Sequence, residues 1–211
     1  MRLVALGAVV ALSGCFLARG GSKAHCPEGR VVELGLQEDV TKLAGCRSVS
    51  GIVIRTGATV DVTPLSDLEE ITGDLVVGPT VGIDSVAFNG LLRVGGTIRV
   101  ANNGSLRGLF LPRLEAAGRI EVDNNAVMST ISMPRLASVK GAFVITDNNA
   151  LELVTATLLS TVGQELVIAG QPQLNLLEMP RIAHMAAIRL EANPKLPPDV
   201  EEQLRSKAAT P

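Results

Sequence analysis

Apolar and polar residues alternate over short stretches that recur along the whole chain: Ile52-Val53-Ile54, Leu75-Val76-Val77, Ile98-Arg99-Val100, Ile120-Glu121-Val122, Phe143-Val144-Ile145, Leu166-Val167-Ile168 and Ile188-Arg189-Leu190. The last residues of these triplets stand 23, 23, 22, 23, 23 and 22 positions apart. Other columns keep the same frame. Six residues after each triplet comes an apolar position (Val60, Ile83, Leu106, Met128, Leu151, Leu174, Leu196), and fourteen after it Leu68, Leu91, Leu114, Leu136, Leu159 and Ile182. Gly51, Gly73, Gly96, Gly118 and Gly141 precede strands, and Asn103, Asn125, Asn148 and Asn193 follow them by three. Period-2 alternation inside a fixed 22–23-residue repeat predicts a coil that returns to the same place each turn, with the outer residues of each triplet inward and the middle one outward. A doubly wound sheet would need helices of ten or more residues between strands, and the intervening segments hold Pro and Gly without a 3.6-residue period. The expected fold is therefore mainly β: a right-handed parallel β-helix, or leucine-rich-repeat-like solenoid, of about seven rungs. Seven rungs at ~4.8 Å make a body about 30 Å long. The glycines are read as tight turns into the strands with positive φ, and the asparagines as residues whose side chains hydrogen-bond neighbouring turn backbone and which tolerate left-handed conformations.

A solenoid exposes sheet edges at both ends, and these need covers. Residues 26–50 read as an N-terminal cap: Leu36, Val40 and Leu43 have helical spacing, and Gly45 is a C-cap. Cys26 and Cys46 flank that helix and are expected to form a disulfide, with a metal or redox role as the alternative. Residues 51–196 form the solenoid. Residues 197–211 form a C-terminal cap and tail, with a short helix over Val200–Lys207 introduced by Pro197-Pro198-Asp199.

The start of the chain belongs to neither pattern. Met1-Arg2 leads into an apolar run from Leu3 to Leu12 and then Ser13-Gly14-Cys15. The run is too short to span a bilayer and reads as a signal peptide over residues 1–14. Leu12-Ser13-Gly14-Cys15 resembles the lipobox of bacterial lipoproteins, which implies lipidation of Cys15; the polar, Gly-containing residues that follow read as a flexible tether completing the segment 15–25, and Phe16, where enteric bacteria carry an inner-membrane retention Asp, favours the outer membrane. The three Cys thus divide into one anchor and one bridge.

Composition narrows the function. The net charge of −2 argues against a nucleic-acid partner held by phosphate contacts. With aromatics at 2% and neither Trp nor Tyr, an aromatic sugar-binding platform has almost no material. No nucleotide-binding loop, zinc motif or nucleophile motif is present, so no catalytic residue, metal ligand or cofactor is assigned.

With the Cys-flanked cap, the segment CRSVSGIVI (Cys46 to Ile54) and repeats of the form G-x-[LI]-x-[IV]-x-x-N-x-x-L in place, the chain resembles the receptor L domain. That is the leucine-rich β-helical module of insulin-receptor and epidermal-growth-factor-receptor ectodomains. The likeness covers about residues 26–196, without a following cysteine-rich module, a second L domain or a kinase, so receptor signalling is not implied. It implies the fold and protein binding through the outward face of the sheet. On this chain that face is Val53, Val76, Arg99, Glu121, Val144, Val167 and Arg189, with four valines expected to be exposed. The expected function is a non-enzymatic, membrane-anchored recognition, adhesion or envelope-organising lipoprotein with a protein partner. A passive structural lipoprotein is the alternative, and a polysaccharide-acting β-helix enzyme the least favoured one. For the last, Glu121 and Asp123 stand two residues apart on one strand face, and Arg99 is expected to pair with Glu121. Arg113, Arg135 and Arg181, each after a Pro, form a turn column open to an anion, and His184 is read as a solvated turn residue.

Overall fold

The computed structural model describes residues 26–208; the expected signal peptide, Cys15 and the expected tether lie outside the described residues. The expected solenoid of about seven turns is present, built entirely from parallel pairing. Its long sheet stacks the triplets in the frame that the repeat dictates: Ile52, Leu75, Ile98, Ile120, Phe143, Leu166 and Ile188 are aligned, as are Ile54, Val77, Val100, Val122, Ile145, Ile168 and Leu190. All but Ile188 in these two columns are buried, so each turn contributes two apolar side chains to one continuous core.

A second, five-stranded parallel sheet closes the opposite side, through Ser85–Ala87, Gly108–Phe110, Thr130–Ser132, Leu153–Thr155 and Leu176–Glu178. Its inward column, Val86, Leu109, Ile131, Val154 and Leu177, lies nine residues after each triplet. The sequence carried this column as plainly as the others.

The glycines do a different job from the expected one. None of the strand-entry glycines has positive φ. At Gly118 a Cβ would stand 2.4 Å from the Gly95 carbonyl oxygen, and at Gly163 2.1 Å from that of Lys140. Glycine is required there because successive turns approach backbone to backbone where the chain bends into the long sheet.

The asparagine column makes the expected hydrogen bonds to neighbouring turn backbone, but the left-handed position is not its own. Positive φ falls one residue earlier, at Asn102, Asn124, Asp147, Gly170 and Ala192. That residue turns the chain inward, and the next side chain is buried: Asn103, Asn125, Asn148 and Gln171 are at most 1% exposed. They form a ladder. The Asn103 side-chain amide donates to Asn125 Oδ1 at 2.8 Å, and the Asn125 amide donates to Asn148 Oδ1 at 2.8 Å. The backbone N–H groups of Asn125, Asn148 and Gln171 each donate to the side-chain oxygen of the next turn at 3.1 Å. Each Asn amide also reaches back to the carbonyl ending the previous strand: Asn103 to Val77, Asn125 to Val100, Asn148 to Val122 and Asn193 to Ile168. Gln171, one methylene longer, donates instead to its neighbour Ala169. Thr80 closes the top of the ladder by donating to Asn103 Oδ1. Among the described residues, no buried side-chain polar atom is left without a partner.

The N-terminal cap departs from expectation in one respect. Its residues Val31–Leu34 form a strand of the long sheet, aligned with Gly51–Thr56, before the helix α1, Gln37–Lys42. The helix is short because Asp39 accepts the backbone N–H groups of Leu36 and Gly35, fixing Leu36 as the cap and leaving it exposed. Val40 and Leu43 are buried as predicted. The Gln37 side chain exchanges two hydrogen bonds with the Asp61 backbone, at 2.9 and 2.7 Å, joining α1 to the first turn. The expected Cys26–Cys46 disulfide closes the cap, with a Cα–Cα distance of 5.6 Å. The C-terminal helix α2, Pro198–Ala208, buries Leu204 and sets Arg205 on the Leu190 carbonyl and Lys207 on that of Pro180.

Two outcomes are expected. Asn125→Ala strands donors and acceptors in two neighbouring turns and lowers stability by about 3 kcal/mol. Asn124→Ala, at an exposed left-handed position, costs about 1 kcal/mol; denaturant unfolding of both variants measures the difference. The second concerns Asp39, whose pKa is held below its ordinary 3.8 by the Leu36 N–H and by Lys42. A depressed carboxylate contributes stability above its unfolded pKa and loses it as pH falls through the folded value. Asp39→Asn is therefore less stable than the parent at pH 7, and the two converge in denaturant midpoints taken below pH 3.8.

Candidate functional face

The outward column is assembled as the repeat requires. Val53, Val76, Arg99, Glu121, Val144, Val167 and Arg189 occupy consecutive strands in direct register, and Glu33 of the added first strand stands beside Val53. Register alone brings these residues together, since their sequence separations are one full turn each.

Their exposure differs from expectation. Val53, Val76 and Val144 are half-buried, and Val167 is fully buried although its strand position faces outward. The column therefore offers no exposed valine stripe. Strand neighbours of β-branched residues cover much of each other's surface in a parallel stack, and a residue set between two rungs loses exposure to both. What the face presents to solvent is charge: Glu33, Arg99 and Arg189 are exposed and Glu121 is half-buried.

That charge is organised at mid-face. Arg99 Nη1 lies 2.6 Å from Glu121 Oε2, and Arg119 Nε lies 2.6 Å from Glu121 Oε1. Arg99 also reaches Asp123 Oδ1 at 3.6 Å. Glu121 is thus clamped between two guanidinium groups from its own strand and the preceding one. The pairing of Arg99 with Glu121 is as expected; Arg119 was not singled out because it precedes the triplet, at the bend. At the last strand Arg189 lies 3.8 Å from Glu191. Arg55 donates to the Gly78 carbonyl at 3.2 Å. The arrangement can make charge-assisted contacts of both signs across a flat, rigid surface, and Glu121, Asp123 and Glu191 already have an arginine beside them.

The other sequence candidates are dispersed. Arg113, Arg135 and Arg181 are exposed on the turns leaving the second sheet. His184 opens the strand His184–Glu191, aligned with Thr161, and is not a turn residue as the sequence suggested. Among the described residues no group of three or more His, Cys, Asp or Glu gathers as a metal site, and no helix is long and apolar enough to cross a membrane. A groove of about 530 Å³ lies at the N-terminal end, between the Val31–Leu34 strand and α1, and touches the column at Glu33. No family model, curated protein or solved structure matches the chain.

Proposed function

We propose that this chain is a lipid-anchored, non-enzymatic recognition or envelope-organising lipoprotein of the receptor L-domain type, exported to the bacterial outer membrane through Cys15. A protein partner meets the outward face of the long sheet. The observation that carries this reading is the charge network at mid-face: Arg99, Arg119, Glu121 and Asp123, held at fixed spacing by parallel register, form a rigid pattern of both signs. Such a pattern selects a complementary surface. The half-buried valines contribute apolar contact between the charged positions rather than a free hydrophobic patch. Their limited exposure also favours the second reading, a passive structural lipoprotein whose sheet face meets nothing.

One measurement tests the anchor that both readings share, and a second separates the readings. Metabolic labelling with a fatty acid marks the parent chain and not Cys15→Ser; labelling that survives the substitution removes the anchor. A photo-crosslinker at position 144 captures a discrete partner from the intact envelope, and Arg99→Glu lowers the yield about tenfold with the melting temperature held within ~2 °C. The same crosslinker at Thr155, on the opposite sheet, serves as control. Equal capture from both positions, or none at 144, removes the face from the proposal.

A further inference from the structure

The two sheets present different outer surfaces. The long sheet carries Glu33, Arg99, Glu121 and Arg189 in one outward column. In the second sheet the first and third residues of each three-residue strand point outward, because the middle ones are the buried column from Val86 to Leu177. Of those ten outward residues only Glu178 is charged. Phe110 and Leu176 are 36% and 46% exposed, and the half-buried Leu153 stands one turn before Leu176. A Cβ at Gly108 would lie 2.4 Å from the Phe110 ring, so the ring lies across the bare glycine on the outer face.

A cationic corner borders this face where the chain leaves it. Phe110 is in register with Ser132 and Ala116 with Ser138, so the exposed Arg113 and Arg135 stand on adjacent turns, ~4.8 Å apart along the backbone stack. Arg181 lies two turns further on, and Lys207 of α2 reaches the Pro180 carbonyl beside it. The side chains of the three arginines have no ion-pair or hydrogen-bond partner among the described residues, Glu115 and Glu178 included. The other border is mixed, with Asp84, Arg107 and Glu152 exposed where the chain enters the sheet.

We propose that the second sheet is the membrane side of the body, with Phe110 and Leu176 among phospholipid headgroups and the arginine corner on their phosphates. The proposal rests on the lipid-anchored reading above. Two observations select the bilayer as the occupant. The first is composition: an almost uncharged sheet face with an exposed aromatic, bordered by unpaired arginines, matches an interface that is apolar below and anionic above. The second is where the chain leaves the body. The backbone N–H of Glu69 donates to Arg47, that of Leu92 to Glu69 and that of Glu115 to Leu92, so these turns stack along the arginine corner and Cys46 stands at its foot. The disulfide holds Cys26 against Cys46, with 5.6 Å between Cα atoms. Cys15 is eleven residues further back, within ~40 Å even at full extension. The anchor therefore holds the body from the foot of the arginine corner. The exposed apolar surface is small, so the face orients a body already anchored and does not hold it on the membrane alone. The charged long sheet is left turned away from the bilayer.

The chain contains neither Trp nor Tyr, so a single introduced Trp is a unique fluorescent reporter. The full chain, purified from bacterial membranes, is placed in phosphatidylcholine vesicles that contain a quarter phosphatidylglycerol and a headgroup spin label. Phe110→Trp is expected to be quenched at least threefold more, as an order of magnitude (~3), than Val144→Trp on the long sheet. Adding Arg113→Glu and Arg135→Glu to Phe110→Trp brings the quenching down to the level of position 144, with the far-ultraviolet circular dichroism unchanged. Equal quenching at positions 110 and 144, in chains that float with the vesicles, overturns the proposal and leaves the anchor standing. Quenching at position 110 that ignores the arginine changes also overturns it. A chain that fails to float with the vesicles overturns the anchor and the proposal together.

Discussion

A chain that coils back on itself every 22 or 23 residues must turn inward once per coil, and the turn carries peptide groups into an apolar core. Each such group costs free energy unless it is paired. The column Asn103, Asn125, Asn148, Gln171 and Asn193 meets that demand, and the rest of the molecule depends on it. One carboxamide offers an acceptor to the turn before it and donors to a strand carbonyl and to the turn after it, so a single residue type satisfies three places at once. The spacing of the ladder is the spacing of the sheet. Register in the long sheet, and therefore the alignment of the outward face, follows from a polar column buried through Asn103, Asn125, Asn148 and Gln171.

Most of the architecture was legible because stacking makes neighbours of residues at one sequence interval. The triplets, the columns at six and fourteen residues, the cap disulfide and the C-terminal helix all follow from that interval and from the chemistry of Leu, Ile, Val and Cys. Three readings went astray for physical reasons. Gly118 was assigned a backbone conformation, whereas its role, like that of Gly163, is set by a carbonyl oxygen one turn away, a distance that no local window contains. Asn125 was assigned to the turn, yet its left-handed neighbour Asn124 makes the turn and frees Asn125 to point inward. Val31 and Val32 lie outside the repeat frame, so only the sheet itself reveals that they extend it.

The candidate face shows the limit of the same reasoning. Periodicity tells which residues point outward; it does not tell how far they remain accessible. Val167 is outward and buried, while Arg99 at the same column position is exposed. A long cation escapes the stack and a β-branched side chain is absorbed by it. The face that a partner meets is thus written mostly by its few charged positions, of which Arg119, at the bend, lay outside the columns used to find the others.

The placement of the disulfide has a mechanical consequence. The bond joins Cys26, the first described residue, to Cys46, just before the strand Ser48–Val49 begins the stacked turns. Tension applied to the chain ahead of Cys26 passes through the sulfur atoms to Cys46 and bypasses the span between them. The edge strand and α1 inside that span carry none of the load, so a pull that would otherwise peel the first strand away is delivered instead to the solenoid body.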